Sequence, residues 1–351
     1  MTENGSRTPP RAGRRTWSLG LRPWVVAATY IDAASALLCL ILIRWVGEAW
    51  WGVTPLLFSP RWLLLVPPLV LALLAVWVRK PSLCLVLGAT ALVIAGPLMV
   101  LTVPLAKLRG PHIEGERFRV LTYNLGDHPF DARGLTDLLE RERIDLVCFQ
   151  EAPRDDPALE SFFARGWYRD RLKFVASRHP IVREMEPLPE DFRSEQRYAA
   201  KLHGAFIRAP SGREFLLASL HMPTLRPGLN RLLAGNIHGL QIHIDWWRRE
   251  LDRVLTWLDR AHDTPLVLAG DFNMPPDDST MASLRTAYRF AFEDAGWGYG
   301  YTRPSRTPWF RIDHIATSPE WDIARCHVGP DFGSDHLPLI AEVVLPLAPG
   351  R

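Results

Sequence analysis

The chain has 351 residues, 48% of them hydrophobic and 23% charged, with a formal net charge of +3. That average conceals a division, because residues 1–111 hold 11 Lys and Arg against three Asp and Glu, whereas residues 112–351 hold 30 against 35. The globular remainder is net acidic, so it lacks the basic footprint of a non-specific nucleic-acid binder; its length suits one domain of about 240 residues carried on an attachment.

Taken in order, residues 1–23 carry Arg7, Arg11, Arg14, Arg15 and Arg22 among Gly, Pro and Ser, the composition of a disordered basic tail. Three apolar runs follow within 24–106, at 24–46, 62–78 and 83–106. Their lengths predict three transmembrane helices. Asp32 and Arg44 interrupt the first run and Pro67-Pro68 breaks the second, while tryptophans at 24, 45, 50, 51, 62 and 77 sit near the ends, as interfacial anchors do. Three runs in succession, the first too long for the core of a signal peptide, argue against a cleaved leader. The tail and the Arg79-Lys80 turn together hold seven basic residues, whereas the 47–61 loop holds only Arg61. The side with more positive charge stays in the cytoplasm, so an odd number of crossings makes this a multi-pass cell-membrane protein with an extracytoplasmic domain.

A linker at 107–117 leads to alternating short strands and helices over 118–346, before a tail at 347–351. Strands are predicted at 118–124, 145–150, 174–177, 199–208, 214–221, 266–270, 311–317 and 337–344. Helices are predicted at 131–141, in the second half of 230–261, and from residue 278 onward. Cys39, Cys84, Cys148 and Cys326 have no close-paired spacing, which excludes a disulfide framework or a zinc site by pattern.

The most informative stretch is Leu266-Val-Leu-Ala-Gly-Asp-Phe-Asn-Met-Pro-Pro276. A buried strand stops at Gly270, and Asp271 and Asn273 follow two residues apart, so both side chains can enter one cleft. The competing reading is a turn in which the two side chains bond only their own backbone. Other strands share the feature. Asn124 ends the first, Gln150-Glu151 the second and His221 a later one; Asp313-His314 lies within the next and Ser334-Asp335-His336 opens the last. Convergence of Glu151, Asp271, Asp313 and Asp335 would be strongly repulsive without a cation or a histidinium, and an oxygen-rich donor set suits Mg²⁺ or Mn²⁺ better than zinc.

Tyr123-Asn124, Phe149-Gln150-Glu151, His221-Met222-Pro223, Gly270-Asp271-Phe272-Asn273, Arg311-Ile312-Asp313-His314-Ile315 and Ser334-Asp335-His336-Leu337-Pro338 resemble, in order, the motifs of the endonuclease/exonuclease/phosphatase superfamily. The resemblance covers about residues 117–346. It implies an α/β (α+β) fold, a DNase I-like four-layer sandwich of two packed β-sheets flanked by helices, here preceded by the three transmembrane helices. It also implies roles. Glu151 would be the main ligand of the divalent metal, with Asn124 and Asp335 beside it. Asp271 would activate the attacking water, and Asn273 would hold that water or a phosphate oxygen. His336, oriented by Asp313, and His221 would contact the phosphate. Two positions depart from the pattern: Gly126 stands where some members carry an acidic residue, with Asp127 one further on, and Thr224 stands where some nucleases have a second asparagine.

The implied activity is metal-dependent hydrolysis of a phosphate ester by in-line attack of water. Tethering to the bilayer favours a small or lipid-borne ester as substrate. A nuclease is the alternative, with Arg303, Arg306 and Arg311 as a local basic patch and Arg311 as a substrate contact. A non-catalytic module that only binds a phosphorylated ligand is the second alternative.

Overall fold

The computed structural model describes residues 13–47, 50–105, 114–126, 129–153, 156–186, 188, 199–261 and 263–347. Most of the basic tail, most of the expected linker, and Asp127 lie outside the described residues. Two compact units result, one from residues 1–42 and 61–99 and the other from residues 43–60 and 100–351.

In the first unit, α1 (Gly13–Ile41) runs on through a wider turn, Leu42–Val46. Gly20–Val46, at 27 residues, is the one helix among the described residues long and apolar enough to cross a membrane. The second unit contributes the short α2 (Thr54–Leu57) before the chain returns to form α3 (Val66–Trp77) and α4 (Leu83–Val93). With their flanking turns these last two give apolar helices of only Arg61–Trp77 and Leu83–Leu98. By length, then, one candidate membrane-spanning helix stands where three were expected. The reason is local: Pro67 and Pro68 are tolerated only in the first turn of α3, and Pro97 ends the regular part of the following helix. Val25, Ala75, Val78, Leu83 and Leu87 form this unit's buried cluster. Arg22 Nε donates to the Val78 carbonyl at 2.8 Å, and Arg61 Nη1 to the Leu98 carbonyl at 2.7 Å, satisfying acceptors at helix ends.

The second unit holds two six-stranded sheets. Its elements are β1 (Gly115–Asn124), α5 (Ala132–Arg141), β2 (Leu146–Gln150), α6 (Pro157–Phe163), β3 (Tyr168–Arg169), β4 (Val175–Ser177), β5 (Ile181–Glu184), β6 (Lys201–Arg208) and β7 (Glu214–His221). Then come α7 (Arg226–Leu233), α8 (Ile237–Leu258), β8 (Leu266–Asp271), α9 (Met281–Ala287), β9 (Arg289–Phe290), α10 (Ala291–Ala295), β10 (Asp313–Thr317), β11 (Asp322–Val328) and β12 (Leu339–Pro346). One sheet has the order β11-β12-β1-β2-β4-β3 and the other β5-β6-β7-β8-β10-β9.

Period-2 alternation builds the layers. Phe118, Val120, Leu146 and Cys148 from the first sheet meet Phe215, Leu217, Val267, Ala269 and Ile315 from the second in one buried cluster. The opposite face of the first sheet, Leu121, Tyr123, Val147 and Phe149, packs with Leu135, Leu138 and Leu139 of α5 and with Leu159 and Phe163 of α6. The opposite face of the second, Leu216, Ala218, Leu266 and Leu268, packs with Ile244, Trp247, Leu251 and Val254 of α8. Helix, sheet, sheet and helix therefore stack in four layers. Segment 43–60 belongs to this unit, since Trp51 and Phe58 pack against the α8 cluster and Phe58 meets Phe310 edge-on at 6.1 Å.

Four strands went unpredicted. β3 and β9 have two residues each; β5 and β11 are edge strands with irregular register, and β11 carries Arg325 and His327 where alternation would place apolar residues. The single helical stretch expected within 230–261 is a pair: Asn236 caps α8 by accepting from Gly239 N at 2.8 Å, after Gly235 turns the chain at φ +81°.

Candidate active site

The same alternation builds the cleft. On each central strand the positions facing the other sheet are apolar along most of the length and turn polar at one end. β1 ends on Thr122 and Asn124, β2 on Gln150, β7 on Ser219 and His221, and β8 on Asp271. Parallel pairing aligns Asn124 with Gln150 and His221 with Asp271, and antiparallel pairing sets Asp313 opposite Asp271. The polar ends of five strands thus meet at one mouth of the sandwich. Of these, His221 and Asp271 line a cleft of about 390 Å³ with Gly126, Glu151, Met222, Pro223, Thr224, Arg226, Asn273, Arg303, Asp335 and His336.

Glu151 and Asn273 lie just past β2 and β8, each with left-handed backbone, at φ +50° and +52°. Such a conformation costs a non-glycine residue of order 1 kcal/mol, and it turns both side chains into the cleft. Trp247 of α8, 1% exposed, braces the second turn by donating from Nε1 to the Phe272 carbonyl at 3.3 Å. Gly270 is required, because a Cβ there would overlap the Leu220 carbonyl of the adjoining strand.

Asp271, 1% exposed, accepts from Asn273 N at 2.8 Å, from Asn124 Nδ2 at 3.0 Å and from Asn273 Nδ2 at 3.3 Å. Asn273 Nδ2 also donates to the Met222 carbonyl at 2.8 Å, which ties β8 to the loop after β7. Burial, reinforced by the neighbouring Asp313, raises the Asp271 pKa; His336, His221 and Arg303 oppose the rise. His336 Nδ1 lies 2.9 Å from Asp313 Oδ2, and its Nε2 points at Asp271 Oδ2, 3.6 Å away. Burial works against the imidazolium, but the Asp313 and Asp271 carboxylates outweigh it and lift the His336 pKa to about 9. His221 Nε2 stands 3.5 Å from Glu151 Oε1 and 3.8 Å from Asp271 Oδ2. Beneath them Gln150 Nε2 donates to Ser219 Oγ at 2.9 Å, and Ser334 Oγ donates to the Asn124 carbonyl at 2.7 Å, locking the last loop onto β1.

Asn124, Glu151, His221, Asp271, Asn273, Asp313, Asp335 and His336 are therefore all brought together. Arg311 is not. It is 1% exposed, its guanidinium lies 4.4 Å from the Phe292 ring centroid, and its Nη1 donates to the Tyr299 carbonyl at 3.0 Å. The basic patch expected from Arg303, Arg306 and Arg311 is reduced to Arg303, the one member that lines the cleft. Arg303 Nη2 donates to Asp335 Oδ2 at 2.5 Å; burial works against the Asp335 carboxylate, but Arg303 and His336 hold its pKa below the ordinary value. Lys201 and Arg226 also line the cleft, and no motif or periodicity marked either one.

The donor set fits a hard cation. Asp271, Asp313 and His336 bring ligand atoms within 4.8 Å of one another. That trio is already occupied internally, since Asp313 takes the His336 imidazole and Asp271 takes two amides. Glu151 and Asp335 have side chains 30% and 39% exposed, which leaves room for the water that Mg²⁺ retains, although Asp335 Oδ2 is taken by Arg303. Asn124 turns Nδ2 to Glu151 at 3.3 Å, while its Oδ1 accepts from Gly126 N at 3.0 Å. Its oxygen reaches a cation only after the amide turns over.

Two face-packed sheets whose strand ends gather carboxylates, histidines and amides are the architecture that the sequence motifs lead one to expect, and the comparisons agree. The chain belongs to the endonuclease/exonuclease/phosphatase family, whose model matches residues 121–336. An endonuclease/exonuclease/phosphatase family protein from Bacteroides thetaiotaomicron is 18% identical with a TM-score of 0.51, over 67% of this chain and 100% of that one. A mannosyl-6-phosphatase from the same species is 19% identical with a TM-score of 0.50, over 65% of this chain and 99% of that one. No curated protein matches.

Proposed function

We propose that the protein is a membrane-anchored, divalent-metal-dependent phosphoesterase acting on a small or lipid-borne phosphate ester. The observation that carries this reading is the meeting of Glu151, His221, Asp271, Asn273 and the Asp313–His336 pair in one cleft. Asp271 Oδ1 accepts from the Asn273 backbone N–H and Oδ2 from the Asn124 and Asn273 side-chain amides, which fixes the carboxylate in place; burial makes it more basic than a solvated carboxylate and suits it to take a proton from a water held beside Asn273. His336, kept protonated by Asp313, donates from Nε2 to a phosphate oxygen and offsets the charge growing there. His221 is placed to contact a second oxygen. Glu151, Asp335 and the turned amide of Asn124 would hold Mg²⁺ or Mn²⁺, which supplies charge neutralisation at the phosphate.

Support for the membrane arrangement comes from chain parity. Segment 43–60 follows α1 and belongs to the same compact unit as everything after residue 99. The apolar helices between them therefore cross the membrane as a pair or not at all. Either way the number of crossings is odd, and the catalytic unit lies opposite the basic tail, at the cell membrane and outside the cytoplasm. The test of function is a screen of the full chain in detergent, with Mg²⁺ or Mn²⁺, against phosphomonoesters, phospholipids, RNA and DNA. Truncation at residue 110 would strip Trp51 and Phe58 from the core, so the whole chain is the sample. Metal-dependent release of phosphate or a phosphorylated headgroup is expected; turnover of nucleic acid alone would overturn the substrate assignment.

A further inference from the structure

Beside the reacting centre the cleft walls carry Lys201, Arg226 and Arg303, none of which lies in a family motif. Two of them converge. Arg303 Nη2 donates to Asp335 Oδ2 at 2.5 Å, and Arg226 Nη2 stands 3.9 Å from the same oxygen. Arg303 is firmly placed: its side chain is 13% exposed, and its loop is pinned by Ser305 N to the Asp335 carbonyl at 2.9 Å and Leu337 N to the Thr302 carbonyl at 2.8 Å. Its charge acts on Asp271 and His336 as well as on Asp335. Arg226 contrasts with it. It begins α7, Thr224 Oγ1 accepts from its backbone N–H at 3.3 Å, and its side chain is 64% exposed. One carboxylate satisfies Arg303 and leaves Arg226 with no closer carboxylate among the described residues. A guanidinium presents five donors in a planar fork matched to phosphate oxygens. Two such forks beside the proposed phosphate-ester centre exceed what a single phosphate contacted by His221 and His336 requires.

We infer that Arg226 and Arg303 form an anion subsite on the Asp335 side of the cleft, so that the preferred substrate carries a second phosphate next to the one hydrolysed. The inference rests on the phosphoesterase reading and narrows its substrate class to esters bearing two neighbouring phosphates. Arg303 sets the position of the second group, and Arg226 closes on it from the start of α7.

The test uses the full chain in detergent with excess Mg²⁺, titrated calorimetrically with inorganic orthophosphate and inorganic pyrophosphate. Pyrophosphate is expected to bind about tenfold tighter than orthophosphate, the scale of a charge-assisted pair of hydrogen bonds. In Arg226→Gln that gap should shrink to within about threefold, as expected for the loss of one such contact. Equal binding of the two ions by the wild type, or an unchanged gap in the variant, would overturn the subsite. Failure of both ions to bind would overturn the phosphoesterase reading as well, so the two failures are distinct. Competition with a dinucleotide and with a soluble headgroup bearing two phosphates separates the sources of such an anion. Displacement of pyrophosphate by either one supports the subsite, and displacement by neither contradicts it.

Discussion

His336 holds Nδ1 2.9 Å from Asp313 Oδ2, and both side chains are 1% exposed. Little water competes for this pair, so the Asp313 charge acts on the imidazole through a poorly screened interior. The arrangement fixes which nitrogen faces the cleft and keeps it protonated at neutral pH.

Asp313→Asn should lower turnover roughly 10²–10³-fold, the scale for losing one charge-stabilising donor. It should also change the pH dependence. In the native protein His336 has its pKa raised from 6.5 to about 9, so the proton is retained until the pH climbs through that value. The stability this pair contributes is accordingly complete below pH 6.5 and lost as pH rises through about 9. Without the Asp313 charge, burial lowers the pKa, and the alkaline limb of the pH–rate profile should move down. An alkaline limb at the native position, with turnover reduced, would show that Asp313 does not set the protonation of His336.

How much of this was legible in the sequence differs by residue. Asn124, Glu151, His221, Asp271, Asp313 and His336 could be read because polar residues interrupt otherwise apolar strands at a consistent end, and the interruption survives translation into three dimensions. Arg311 could not. Two residues before Asp313 it shares that residue's parity, but β10 begins only at Asp313, so alternation does not extend back to it. Its side chain runs under Phe292 instead. Arg226 and Lys201 carry no pattern, because an exposed cation at an element's start is indistinguishable from ordinary surface until the fold brings it to a cleft.

Arg311→Met follows from that placement. The buried guanidinium has Nε and Nη2 without hydrogen-bond partners among the described residues, and burial lowers its pKa. Replacing it with an apolar chain of similar length should leave catalytic activity within about twofold and stability unchanged or improved, as for other poorly compensated buried charges. A tenfold loss of activity in a folded Arg311→Met protein would return Arg311 to the site. Thermal unfolding and kcat/KM measured together decide it.

The proposed odd crossing number predicts that a reporter active only outside the cytoplasm, fused after Arg351, is active, and that one placed at Lys80 matches it only if α3 and α4 do not cross. An inactive C-terminal fusion would contradict the parity argument drawn from segment 43–60.

The central claim is that Glu151 belongs to a cation site while Asp271 acts on water. The most direct measurement is Mn²⁺ binding by the full chain, followed by paramagnetic resonance, alongside hydrolysis by the wild type, Glu151→Gln and Asp271→Asn. The account predicts no wild-type turnover in EDTA and weakened Mn²⁺ binding in Glu151→Gln. It also predicts near-native Mn²⁺ binding in Asp271→Asn, with turnover down by about two to four orders of magnitude, as for a lost general base. Wild-type hydrolysis undiminished in EDTA, or native Mn²⁺ affinity in Glu151→Gln, would contradict it.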